Sequence, residues 1–133
     1  MAFSVRACEE DEALEYLRDP SVRKFLSFDP VGVNAEWIKL VMNERLLVLT
    51  KPDWKEIEVH VACKFRDRGI VRQTMKDGLE WLHQDFEIVW TTAPDSRVGL
   101  VRMLESLDFR RVGSRWEHGN YNSIGDGWRV VAR

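Results

Sequence analysis

The sequence predicts an α/β domain with the element order β-αα-ββ-β-α-β-α-β-β, a mixed central sheet flanked by helices. Three observations carry that reading. The run Glu56–Cys63 alternates apolar and polar residues, residues 86–92 form a β-branched and aromatic run, and between them Val71, Met75, Leu79 and Leu82 recur at helical spacing. A period of two marks a half-buried strand, and recurrence at three and four marks an amphipathic helix; strands and helices in alternation build an α/β fold. The 133 residues are expected to form a single domain, 1–133, long enough to bury a real core.

From the N-terminus, residues 3–6 read as a short strand. Acids from Glu9 to Glu12 open a helix with Leu14 and Leu17 on one face, since carboxylates suit the positive end of the helix dipole. Asp19-Pro20 restarts a second short helix with Val22, Phe25 and Leu26 on its apolar side. Residues 29–34 read as loop. Two apolar runs flank Asn43-Glu44, so residues 37–42 and 45–50 read as a hairpin, with a helix over 35–43 as the competitor. Lys51-Pro52-Asp53 reads as a turn. In the next strand Ile57, Val59, Val61 and Cys63 point one way and Glu58, His60 and Ala62 the other. After helix 71–82 and strand 86–92, Ala93-Pro94-Asp95-Ser96 reads as loop and cap. Val98, Val101, Leu104 and Leu107 form another helical stripe. Residues 109–116 and 128–132 read as the last two strands, joined by a polar loop rich in Gly and Asn.

Composition narrows the class. With 44% hydrophobic and 32% charged residues the chain reads as an ordinary soluble globular protein. The net charge of −2, with both signs interspersed, argues against a nucleic-acid partner. Neither a signal segment nor a membrane span is expected, and the isolated Cys8 and Cys63 suggest a reduced, cytoplasmic setting. Trp37, Trp81, Trp90, Trp116 and Trp128 are expected in the core; Trp54 reads as either exposed or packed. His83 and His118 are expected at the surface, and the histidines and cysteines have no metal-ligand spacing.

Arg66, Arg68 and Arg72 cluster around Gly69, where the strand gives way to the helix. Amides at a helix start lack intrahelical partners and favour an anion, and arginines add charge-assisted contacts to phosphate oxygens. On charge alone the cluster reads as a solvated helix end, with a phosphate site as the alternative. Neither a Walker loop nor a dinucleotide fingerprint is present.

Element order and this turn together resemble the GNAT superfamily, the GCN5-related N-acetyltransferases. Arg66-Asp67-Arg68-Gly69-Ile70-Val71 is similar to the family's turn of Gln or Arg, two residues, Gly, one residue, then Gly or Ala, with Val71 in the last, small position. The Glu58 and His60 spelling resembles phage-associated GNAT-like proteins in particular. "RMLESLDF" is similar to the family's helix-to-strand passage, with Asp108 where Gly is usual and Leu104 where many members have a proton-donating Tyr. The resemblance implies acetyl-CoA as co-substrate and an amine as acceptor, with a homodimer left open. It implies cofactor contacts from Val61, Ala62, Cys63, Arg66, Arg68, Gly69, Ile70 and Val71, and from Arg97 near the start of the later helix. In the family the segment between the last two strands borders the acceptor site, so 118–127 is expected to bear on specificity.

Glu58 and His60 are the candidate catalytic residues. Two residues apart on a strand, they share a face. Imidazole takes a proton near neutral pH, and a carboxylate orients it or acts through water. The pair equally reads as a buried hydrogen-bonded contact. The expected function is acetyl-CoA-dependent N-acetyl transfer to an amine; the alternative is a non-catalytic GNAT-like phage structural or host-interaction protein.

Overall fold

The computed structural model describes residues 3–23, 36–63 and 68–119. Phe25, Leu26, the 29–34 loop, Arg66, Tyr121 and the expected strand 128–132 lie outside the described residues. Eleven elements follow one another: β1 (Val5–Ala7), α1 (Glu10–Arg18), α2 (Pro20–Arg23), β2 (Ile38–Met42), β3 (Leu46–Asp53), β4 (Glu56–Cys63), α3 (Arg68–Leu82), β5 (Ile88–Thr91), α4 (Val98–Ser106), β6 (Arg110–Val112) and β7 (Arg115–Gly119). The strand order is β1-β2-β3-β4-β5-β7-β6. β4 and β5 pair in parallel. The chain forms two compact units, Met1–Lys51 with His60–Met75, and Pro52–Val59 with Lys76–Arg133.

In the first unit β1 and β2 pair antiparallel, Val5 opposite Met42, and β2 and β3 pair antiparallel, Met42 opposite Leu46. The hairpin expected at Asn43-Glu44 is present. Both turn residues take positive φ, 53° and 54°, the handedness that matches strand twist in a tight hairpin. Asn tolerates that conformation, and its side chain is held: Oδ1 accepts from the Ser4 amide at 2.8 Å and Nδ2 donates to Thr74 Oγ1 at 3.3 Å. Glu44 tolerates it less well, but its carboxylate receives Arg6, which also forks onto Glu12 of α1. These bonds hold the Glu44 carboxyl below the usual carboxylate range. Ala13 and Tyr16 of α1 pack on Val41, Leu47 and Ala62 to make the core of this unit. That packing corrects one expectation. The buried residue near the end of β4 is Ala62 rather than Val61 or Cys63, which are half-buried, because α1 packs on the face Ala62 presents.

In the second unit Glu56, Ile57 and Glu58 lie opposite Ile88, Val89 and Trp90. β5 and β7 pair antiparallel, as do β7 and β6. Ile57, Val59, Leu79, Leu82, Ile88, Val89, Leu104, Leu107, Phe109 and Trp116 are buried here. The end of α4 is a Schellman motif: Phe109 N–H reaches the Leu104 carbonyl at 3.0 Å and Asp108 N–H the Glu105 carbonyl at 3.0 Å. Asp108 takes φ 68°, so it occupies the left-handed position that glycine usually fills.

Four further expectations are corrected. Lys51-Pro52-Asp53 is not a turn but the end of β3; the reversal falls at Trp54-Lys55, where Trp54 has φ 57° and is 85% exposed. Residues 109–116 are not one strand, because Gly113 at φ 62° turns the chain and makes the hairpin β6–β7. Glu117, His118 and Gly119 belong to β7 and not to a loop, so the last described strand is 115–119. Ser96 is not the cap of α4; Arg97 holds that position, with no side-chain cap bond.

Candidate functional site

The cofactor candidates fall around the β4-to-α3 passage. Val61 and Cys63 are half-buried at the end of β4, while Ala62 commits its side chain to the core and leaves only its backbone to a ligand. Arg66 lies outside the described residues, and Arg68 is the first residue of α3. Gly69, Ile70 and Val71 form the helix's first turn, so Gly69 is helical rather than part of a preceding loop. Gly69 and Ile70 are exposed and Val71 is half-buried. A helix start carries amides that lack intrahelical acceptors. No acidic residue occupies that turn to neutralise them.

Arg97, in the second unit, is half-buried at the start of α4, and burial lowers its guanidinium from the ordinary arginine value. Leu104 is 2% exposed, so the position where many GNAT members carry a Tyr is part of the hydrophobic core. Tyr16 is likewise buried, in the first unit, where burial and then Glu12 push its phenol up.

Glu58 and His60 are both half-buried on β4. His60 stands edge-on to Trp37, ring centroids 5.5 Å apart at 71°. Lys51 Nζ lies 5.7 Å from the same indole and bridges to Glu36 at 3.1 Å.

Glu58 enters a polar row that the sequence reading missed. Register sets Glu58 opposite Trp90, Trp90 opposite Glu117, and Glu117 opposite Arg110, and cross-strand partners share a sheet face. Arg115, two residues from Glu117, stacks over Trp90 at 3.8 Å and donates to Glu56 Oε2 at 3.0 Å; its Nη1 is 4.0 Å from Glu117. Glu117 is 2% exposed. The signal was available: with Gly113-Ser114 read as a hairpin turn, Arg115 and Glu117 alternate with Trp116 and His118. A second miss is His83 and His118. Neither is a surface residue; both are half-buried, and their rings meet at 2.7 Å. Among the described residues no cluster of three or more metal-ligating side chains occurs. No described helix is long and apolar enough to cross a membrane.

No protein-family model matches the sequence, and neither does any curated protein. Solved structures do match. The aminoglycoside acetyltransferase AAC(6')-Ib, in complex with paromomycin and acetyl-CoA, superposes with a TM-score of 0.74 at 10% identity, over 93% of this chain and 98% of that one. The ribosomal-protein-S5-alanine acetyltransferase from Vibrio fischeri gives 0.67 at 12% identity, over 92% and 95%. A GNAT-family acetyltransferase from Streptococcus pneumoniae gives 0.62 at 14% identity, over 84% and 86%. Identities this low speak for the fold alone. The parallel β4/β5 pair, the intervening α3 and these superpositions agree: the chain has the fold of the GCN5-related N-acetyltransferases.

Proposed function

We propose that this protein transfers the acetyl group of acetyl-CoA to an amine. One observation carries the reading: in a GNAT fold, the helix that follows β4 opens with Arg68, Gly69, Ile70 and Val71 and has no acidic side chain in that first turn. A pyrophosphate suits such a helix start. The matching AAC(6')-Ib structure contains acetyl-CoA. The proposed holders are the backbone amides of Gly69, Ile70 and Val71, with charge from Arg66 and Arg68 and strand contacts from Val61, Ala62 and Cys63. Arg97 is a separate proposed contact.

Bound acetyl-CoA supplies an activated thioester. The protein's own task is to hold that group and to take a proton from the amine, which is nucleophilic only when neutral. His60 suits the proton step, as an imidazole that stands edge-on to Trp37. Glu58, opposite Trp90, is the second candidate base. Leu104 has no proton to give to a leaving thiolate, so that proton comes from another donor or from solvent.

Calorimetric titration with acetyl-CoA, followed by an assay of thiol release with a polyamine, an aminoglycoside and a peptide N-terminus, tests the reading. Saturable binding and amine-dependent thiol release are expected. Folded protein that fails to bind at millimolar acetyl-CoA overturns it and leaves a GNAT fold used without the coenzyme.

A further inference from the structure

Two of the three histidines meet, and their tautomers follow from their partners. His83 Nδ1 lies 2.9 Å from the Phe86 carbonyl oxygen, an acceptor only, so Nδ1 carries the proton and donates it. In the neutral ring this leaves Nε2 as a lone pair. His118 Nδ1 lies 2.7 Å from that Nε2, so one N–H sits between the two nitrogens. The rings are 4.9 Å apart at 37°, and the His118 ring is 5.3 Å from Phe109. His118 also bonds the backbone of Leu107. The two imidazoles therefore tie together the turn after α3, the end of α4 and strand β7. Asp108 is the carboxylate that acts on His118, and the Phe86 carbonyl is the backbone group that acts on His83.

We propose that His83 and His118 form a coupled latch, closed with the pair neutral or singly protonated and opened by a second proton. A first added proton gives the pair three N–H groups, one each for the Phe86 carbonyl, the Leu107 backbone and the contact between the rings, so the N–H···N bond survives. The second proton has only the acceptor nitrogen of that same N–H···N bond to occupy. It replaces a hydrogen bond by two facing N–H donors and two like charges in a half-buried place, so the rings separate. The two protons belong to the pair, in two macroscopic steps. Burial, the largest influence on each ring, places both steps on the acid side of an ordinary histidine. This latch stands independently of the acetyl-transfer reading.

Histidine-labelled NMR of the intact protein tests it, titrated from about pH 8 to about pH 3, a range spanning the ordinary histidine midpoint of ~6.5 and the lowered His118 value of about 4. The rings of His83 and His118 should respond together at both steps, with the steps separated. Amide exchange at 83–87 should rise with the second step alone. Two independent titrations of ordinary midpoint overturn the proposal. His118→Phe keeps a ring against Phe109 and removes the proton site; acid-dependent exchange at 83–87 that persists in this variant also overturns it. Should that variant fail to fold, the wild-type titration decides alone.

Discussion

The guanidinium carbon of Arg115 lies 3.8 Å from the centroid of the Trp90 ring, and the same group bonds Glu56 and approaches the buried Glu117. One cation thus answers two carboxylates and an indole face in the second unit. Arg115→Ala takes one guanidinium away from the buried Glu117 and from Glu56, and is expected to lower stability by about 1–3 kcal/mol, discounted from a fully buried pair because Arg115 is partly exposed. Glu117→Gln in the Arg115→Ala background should recover part of the loss. A denaturant double-mutant cycle reads this, and additive losses would show that the two side chains do not act on each other.

Asp108 gives a prediction of opposite sign. It holds the left-handed position of the Schellman motif at φ 68°. Glycine meets no Cβ penalty there, so Asp108→Gly should stabilise by about 0.5–1 kcal/mol despite its more flexible unfolded chain. A fall in melting temperature would mean that the Asp108 carboxylate, which acts on His118, matters more than its backbone.

Acid should weaken the fold through the two latch histidines. Burial, then the neighbouring His83, pushes His118 down to about 4, and burial lowers His83 as well. Unfolded histidine titrates near ~6.5, so between these values the unfolded chain holds more protons and stability falls as pH falls. Above that window both states are neutral and the effect is nil. Melting temperature measured from neutral to mildly acid pH should drop in the wild type and drop less in His118→Phe.

Gly69 decides whether the start of α3 meets an anion. Gly69→Val sets a β-branched side chain on the exposed first turn, where close approach of a phosphate needs a bare backbone. Acetyl-CoA affinity should fall about tenfold or more, equal to about 1.4 kcal/mol. Unchanged affinity in a folded variant would place the coenzyme elsewhere.

For the acid–base pair, Glu58→Gln and His60→Ala should each lower turnover, by ~10²–10⁴-fold for the residue that is the base, with acetyl-CoA affinity nearly constant. If both variants work at the wild-type rate, Glu58 and His60 are packing residues beside Trp90 and Trp37.

The alternation of β4 made its bounds legible, and they come out as Glu56–Cys63, while the switch of burial to Ala62 is set by α1. The α3 stripe was half-legible. Thr74 and Gly78 are buried, as Leu79 and Leu82 are, and neither residue type advertises burial. The misplaced turn at 54–55 has a local cause: Trp54 adopts positive φ without being glycine, while Pro52 stands in a strand end where it usually marks a turn. Glu117 stayed hidden for a different reason: a carboxylate 2% exposed is paired by register and by Arg115, and register is a tertiary property.

Arg6 has a consequence for how the molecule opens. Strand β1 is three residues long and lies at the sheet's edge, the arrangement most prone to fraying. Its guanidinium forks onto Glu12 of α1 and Glu44 of the β2–β3 turn, and the backbone of Ser4 and Cys8 continues the pairing on either side. Fraying of β1 must therefore release a helix contact and a hairpin tip together, so the N-terminal strand opens with its neighbours rather than ahead of them. All three side chains are solvent-accessible, so salt loosens the fork and uncouples the edge.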